Sequence, residues 1–89
     1  MSLILTITNQ FKKDIKKIKK QNKNLTLLKD IKELLITESK LPVRYNNHQL
    51  IGNYAGHYEL HIQPDWLLIY KIDKNELRLV RTGSHSELF

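Results

Sequence analysis

The run WLLIYKI, residues 66–72, constrains this chain more than any other stretch. Six of its seven side chains are apolar or aromatic, without polar–apolar alternation. A half-solvated strand alternates with period two; an unbroken apolar run of this length reads as a central strand covered on both faces. The flanking sequence supplies its neighbours. HYELHIQ (57–63) alternates, with Tyr58, Leu60 and Ile62 on one side and His57, Glu59, His61 and Gln63 on the other. QPDW reads as a turn with Pro64 at its second position, DKN as another, and ELRLVRT as a last strand. HQLIGNY reads as a strand ahead of the turn AG.

The first half has a different period. SLILTI (2–7) is a short strand, and Thr8 or Asn9 is suited to cap a helix. Phe11, Ile15 and Ile18 then recur at helical spacing, with lysines on the remaining surface. QNKN breaks this helix, and a second runs over 25–38 with Leu28, Ile31 and Leu35 on one stripe and Leu27 and Leu34 beside it. The short link makes the two an antiparallel hairpin, and Pro42 closes the helical half. The expected order is β-α-α-β-β-β. This is an α+β fold of one domain, residues 1–89, with an antiparallel meander covered on one face by the helical hairpin. Glu59 and His61 then point to the sheet face that the hairpin leaves open, a surface that suits a nucleic acid strand.

Composition excludes several classes. The chain is 40% hydrophobic and 27% charged, ordinary for a folded protein, and no window offers the run of about 18 apolar residues that a membrane span needs. The N-terminus lacks the form of a signal peptide. There are no cysteines, hence no disulfide frame and no thiolate metal site. A soluble cytoplasmic protein is expected. Fifteen Lys+Arg against nine Asp+Glu give a net charge of +6. The excess is concentrated in residues 12–23, where seven lysines, including Lys12, Lys13 and Lys16, accompany the single acid Asp14. Such a stripe attracts polyanions, whether nucleic acid or an acidic protein, although a merely solvated helix face has the same composition.

His48, His61 and His85 are the chemistry-bearing residues of interest. Metal binding is the rival use, but His57 and His61 on one strand stand roughly 13 Å apart, too far to share an ion, so neither metal nor cofactor is expected. Proton transfer is the other use. RNA carries its own nucleophile, so its cleavage needs a base for the 2′-hydroxyl, an acid for the departing 5′-oxygen and a cation on the phosphate. His48, His61, Asp65 and His85 are acid–base candidates, and Arg81 is the cation. Trp66 and Phe89 could stack a base. Each has a plainer reading. Asp65 is ordinary turn chemistry, Trp66 begins a buried strand, and Phe89 fills a gap. Arg81 shares the parity of Leu77 and Leu79, so simple alternation puts it on their face.

These residues sit in a recognisable pattern. A histidine at the helix–strand link, then GNY-x-G, HIQPDWLLIY and RTGSHSELF, over residues 41–89, resembles the YafQ-like branch of the RelE superfamily of bacterial toxin endoribonucleases. The resemblance implies a RelE-type fold that cleaves mRNA during translation on the ribosome and is held inactive by a cognate antitoxin. It places the active site on His48, His61, Asp65, Trp66, Arg81, His85 and Phe89. His85 is the leading general acid, Asp65 and His61 help to activate the 2′-hydroxyl, Arg81 holds the phosphate, and Trp66 and Phe89 shape the nucleotide pocket. The basic helix would serve ribosomal RNA and the acidic part of the antitoxin. Relatives often carry an arginine and an acid ahead of the HIQPDW block, where this chain has Tyr58; alternation turns Tyr58 toward the helices. The alternatives are a RelE-fold module that binds ribosome or antitoxin without cutting, and a lysine-rich nucleic-acid or membrane-surface protein.

Overall fold

A computed structural model describes residues 2–89. Strand β1 (Ile4–Ile7) leads into helices α1 (Asn9–Lys20) and α2 (Leu25–Ile36). Then come β2 (His48–Gln49), β3 (Tyr58–Gln63), β4 (Trp66–Asp73), β5 (Glu76–Gly83) and a single closing turn of helix, α3 (His85–Leu88). The sheet order is β1-β5-β4-β3-β2. Strands β2 to β5 form the expected antiparallel meander, but β1 pairs parallel to β5 because the helical hairpin carries the chain across before the meander begins.

Local chemistry sets the helix bounds. Thr8 caps α1, its hydroxyl accepting from the Phe11 N–H at 3.0 Å, and Asn24 caps α2 by accepting from Thr26 at 3.0 Å. Helix α2 buries Leu28, Ile31 and Leu35, the expected stripe. On α1 the buried set is Phe11, Asp14 and Ile18, so the lone acid of the lysine stretch points inward and Ile15 is only half-buried. Strand β2 is shorter than HQLIGNY suggests. Only His48 and Gln49 pair with β3, and Gly52 at φ +77° turns the chain into a 3-10 turn over Gly52–Tyr54.

The run 66–72 divides as its composition demands. Trp66, Leu68 and Tyr70 join the main core under the helices, while Leu67 and Ile69 face the other side. The second face is not wholly open. Leu88 of α3, with Leu50, Tyr54 and Val80, covers Leu67 and Ile69, and both are fully buried. Burial of each stabilises the fold by about 1.5–3 kcal/mol. The tail is therefore docked, and its apolar anchor is Leu88; Phe89 is 62% exposed. Tyr58 stacks on Tyr70 with ring centroids 5.6 Å apart, so this departure from the relatives' sequence is packing on the helix side.

Two irregularities re-aim functional side chains. Between β4 and β5, Tyr70 opposes Leu79 and Ile69 opposes Arg81, leaving Val80 as an extra residue. This bulge moves Arg81 off the face of Leu77 and Leu79 and onto that of Ile69, correcting the simple alternation. A second register shift lies between His61 and Gln63, just before the turn holding Asp65.

Candidate active site

Strand register assembles the site. One cross-strand row reads His48, Glu59, Ile69, Arg81, and the next reads His61, Leu67, Gly83. Residues directly opposite one another share a face, so His48, Glu59, His61 and Arg81 all lie on the face away from the helical hairpin. Arg81 is two strands from Glu59, about 10 Å at the usual strand spacing. Immediately after Gly83 the chain turns into α3 and adds His85.

The three imidazoles form a line. Ring centroids of His48 and His61 are 6.2 Å apart, and those of His61 and His85 5.7 Å. Behind the first two lies Glu59, 4% exposed, whose Oε1 is 3.4 Å from Nε2 of His48 and 3.6 Å from Nε2 of His61. His48 Nδ1 donates to the Asn46 carbonyl at 2.8 Å.

Asp65 fixes His85. Its Oδ1 accepts from His85 Nδ1 at 2.9 Å and from the His85 backbone N–H at 3.1 Å. Those bonds, the side-chain bond first, hold the Asp65 carboxyl below the usual carboxylate value of 3.8. With the Nδ1 proton committed to Asp65, Nε2 is the ring atom left for exchange with a substrate. Beside Asp65 lies a recess of about 650 Å³ whose polar lining includes Gln21, Lys23, Gln63 and Ser84. A concavity of about 740 Å³ between the end of α2 and Tyr58 and Tyr70 contains none of these histidines.

Helix α3 is anchored by its own capping box, Ser84 with Glu87, and by helix α1. Glu87 Oε2 lies 2.6 Å from Lys17 Nζ and accepts from Gln21 at 3.3 Å. A Cβ at Gly83 would stand 3.0 Å from Glu87 Oε1, so glycine lets this carboxylate fold back. Lys17 foremost, then the Ser84 N–H, lowers Glu87 from 4.5 to about 2. A depressed carboxylate stabilises the fold above its unfolded value and loses that contribution as pH falls through the folded one. The α3 dock is therefore expected to loosen between pH 4.5 and about 2, seen as a shift of the Leu88 methyl NMR signals. Glu87→Gln should lack this step. An intact chain whose Leu88 signals stay fixed across that window contradicts the assignment.

Of the expected residues, His48, His61, Asp65 and His85 are brought together, and Arg81 lies on their face. Phe89 packs edge-on against Tyr54, centroids 5.8 Å apart, and keeps an exposed ring. Trp66 does not fit a stacking role: it is fully buried on the helix side, where its indole N–H donates to Thr82 Oγ1 at 2.9 Å. It acts as a core support next to Asp65. Lys13 lines a cleft with Arg81, whereas Lys12 and Lys16 are exposed on α1. Glu59, Tyr54 and Lys17 were not among the expected site residues. Glu59 was legible as facing the open side; its burial between two histidines depends on strand β2.

A metal-ligating set is also present, different from the His57–His61 pair. One donor atom each from Glu59, His61 and His85 lies within 4.8 Å of the others. Sequence spacing cannot show it, since His85 arrives from the tail.

Comparison with known proteins identifies the family and the fold. A family described as "Bacterial toxin of type II toxin-antitoxin system, YafQ" matches residues 3–89. The Escherichia coli K12 protein named mRNA interferase toxin YafQ is 41% identical over 83 residues, covering 92% of this chain and 90% of that protein. The toxin in the crystal structure of the E. coli DinJ–YafQ toxin–antitoxin complex superposes with a TM-score of 0.92 at 38% identity, covering 100% of this chain and 99% of that one. A metal-bound toxin from Helicobacter pylori superposes with a TM-score of 0.92 at 42% identity, covering 98% and 99%. Over nearly its whole length, this chain belongs to the YafQ family of bacterial type II toxin–antitoxin toxins.

Proposed function

We propose that this toxin is an endoribonuclease that cleaves mRNA on the translating ribosome. The observation that carries the reading is the line of three imidazoles, with Asp65 behind His85 and Arg81 on the same face. His61, with Glu59 behind it, draws the proton from the 2′-hydroxyl as that oxygen attacks the adjacent phosphorus. Arg81 neutralises the phosphate oxygens, and Nε2 of His85 protonates the departing 5′-oxygen. The products are a 2′,3′-cyclic phosphate and a 5′-hydroxyl end. Asp65 acts through His85, and His48 stands beside His61 on the other side of Glu59. The exposed Phe89 ring, steadied by Tyr54, is placed to stack a base. The acid–base set supplies both proton transfers from side chains alone. The name of the E. coli relative supports RNA as substrate, and its complex with DinJ supports an antitoxin protein as the inhibitory partner. The lysines of α1, all exposed, offer an acidic partner or ribosomal RNA a continuous basic surface in the cytoplasm. No helix among the described residues is long and apolar enough to cross a membrane.

Mapping of mRNA 5′ ends after brief induction in bacteria tests this. New 5′-hydroxyl ends inside translated frames, present with the intact chain and absent with His85→Ala, are expected. Growth arrest without new ends would leave a ribosome- or antitoxin-binding module instead.

A second reading concerns control. Two imidazoles and a carboxylate within 4.8 Å suit zinc or copper, and the H. pylori relative is described as metal-bound. An ion held by Glu59, His61 and His85 would occupy both proton-transfer groups and silence the enzyme. Added zinc is expected to inhibit cleavage, with recovery on chelation and weaker inhibition after Glu59→Gln when each rate is normalised to its metal-free value. Equal inhibition of both proteins would refute this site.

A further inference from the structure

Helix α1 and its C-cap carry a polar stripe at Gln10, Asp14, Lys17 and Gln21, spaced i, i+4, i+7 and i+11 along one face. Every member is engaged. Gln10 donates to Asp14 at 3.2 Å, Lys17 and Gln21 hold Glu87 of the tail, and Asp14 meets Arg81. Asp14 is 6% exposed, although six of the seven lysines of the 12–23 stretch are on its own helix. Its Oδ2 accepts from Arg81 Nε at 2.9 Å and its Oδ1 from Nη2 at 3.2 Å, while Oδ2 also accepts from the Thr82 N–H at 3.1 Å.

The geometry decides what this pair leaves free. A guanidinium has five N–H donors in a rigid fork. Asp14 takes two along the Nε/Nη2 side. Both hydrogens of Nη1 and one of Nη2 are not used by Asp14, on the end of the fork that matches two phosphate oxygens; the Tyr54 hydroxyl is a further neighbour of this guanidinium. Strand β1 runs beside β5 only as far as Leu79, and beyond it α1 takes over the β5 edge through Thr8 on Val80 O and Asp14 on Thr82 N. The Val80 bulge turns Arg81 to the histidine face, and Asp14 clamps it there.

We propose that Asp14 is a positioning residue for the reaction, holding Arg81 so that the Nη edge turned away from Asp14 meets the scissile phosphate. The proposal rests on the endoribonuclease reading above. The same stripe fixes the other catalytic element, since Lys17 and Gln21 hold the turn of helix that carries His85. Part of the basic helix thus serves the active site from behind, apart from any contact with RNA.

Asp14→Asn separates positioning from mere satisfaction of the β5 edge. An amide oxygen still accepts from Thr82, so a purely structural role survives; its NH₂ group cannot accept from Arg81, so the two-point clamp is lost. Single-turnover cleavage of mRNA on translating ribosomes by the intact toxin, Asp14→Asn, Arg81→Ala and the double variant is the test. Asp14→Asn is expected to lower the rate about tenfold in the intact background and to have no further effect once Arg81 is alanine. An equal loss in both backgrounds overturns the proposal; no cleavage by the intact toxin overturns the nuclease reading instead. NMR of the intact chain adds a readout independent of variant folding. A clamped Arg81 shows a resolved, slowly exchanging Nε–H signal, and one that exchanges as fast as a free arginine side chain also overturns the proposal.

Discussion

Replacing His85 by alanine is expected to slow RNA cleavage by a factor of about 10² to 10⁴, the usual worth of a positioned general acid. Thermal stability should hardly move. The His85 side chain is 55% exposed, and the turn of helix that carries it is held by Leu88, the Ser84–Glu87 capping box and Lys17. Single-turnover kinetics beside thermal unfolding would test both halves, and a variant with unchanged rate removes His85 from the chemistry. Asp65→Asn should share part of the loss, because the amide no longer fixes the Nδ1 proton of His85 with a full negative charge. The sign of the pH effect follows from the depressed Asp65 carboxyl. Its contribution is present above 3.8 and is lost only as pH falls through its lower folded value. Any loss of activity on mild acidification therefore belongs to other groups.

Arg81→Ala is the second large effect, expected to lower the cleavage rate by about 10² to 10³, as for loss of a preorganised donor to a developing oxyanion. The Asp14 hydrogen bond foremost raises the pKa of the guanidinium, so Arg81 stays charged through any accessible pH. Lysine is not expected to rescue it. A lysine ammonium has no planar fork with which to meet Asp14 along one edge and the phosphate along another. The alanine variant also leaves buried Asp14 with only Thr82 and Gln10 as partners. A stability cost of about 1–3 kcal/mol follows, so rates should be compared well below the unfolding midpoint. A rate for Arg81→Lys equal to that of the intact toxin would reassign Arg81 to packing of α1 alone.

Hydrophobic period decides element type in this chain before any tertiary contact forms. Apolar spacing of three and four residues makes helices of 9–20 and 25–36; alternation makes a strand of 58–63; the unbroken run 66–72 has to be the central strand. The polar side of β3 was equally legible, so His61 and Glu59 could be assigned to the face away from the hairpin. Other features exist only when distant segments meet. The Val80 bulge, which carries Arg81 across the sheet, is a property of β4–β5 pairing and leaves no mark on the alternation within ELRLVRT. Asp14 reads as one acid in a basic helix until β5 brings it a guanidinium and a free N–H. Trp66 matches a nucleotide-pocket motif, yet its burial is set by the helices packed above it. The line of imidazoles joins β2, β3 and α3, three segments whose meeting depends on strand register and on Leu88 docking over Leu67 and Ile69. Local sequence determines which elements form and which way each side chain alternates. Strand register, edge cover and the docking of the tail decide which charges meet, because those contacts join residues 11 to 70 positions apart.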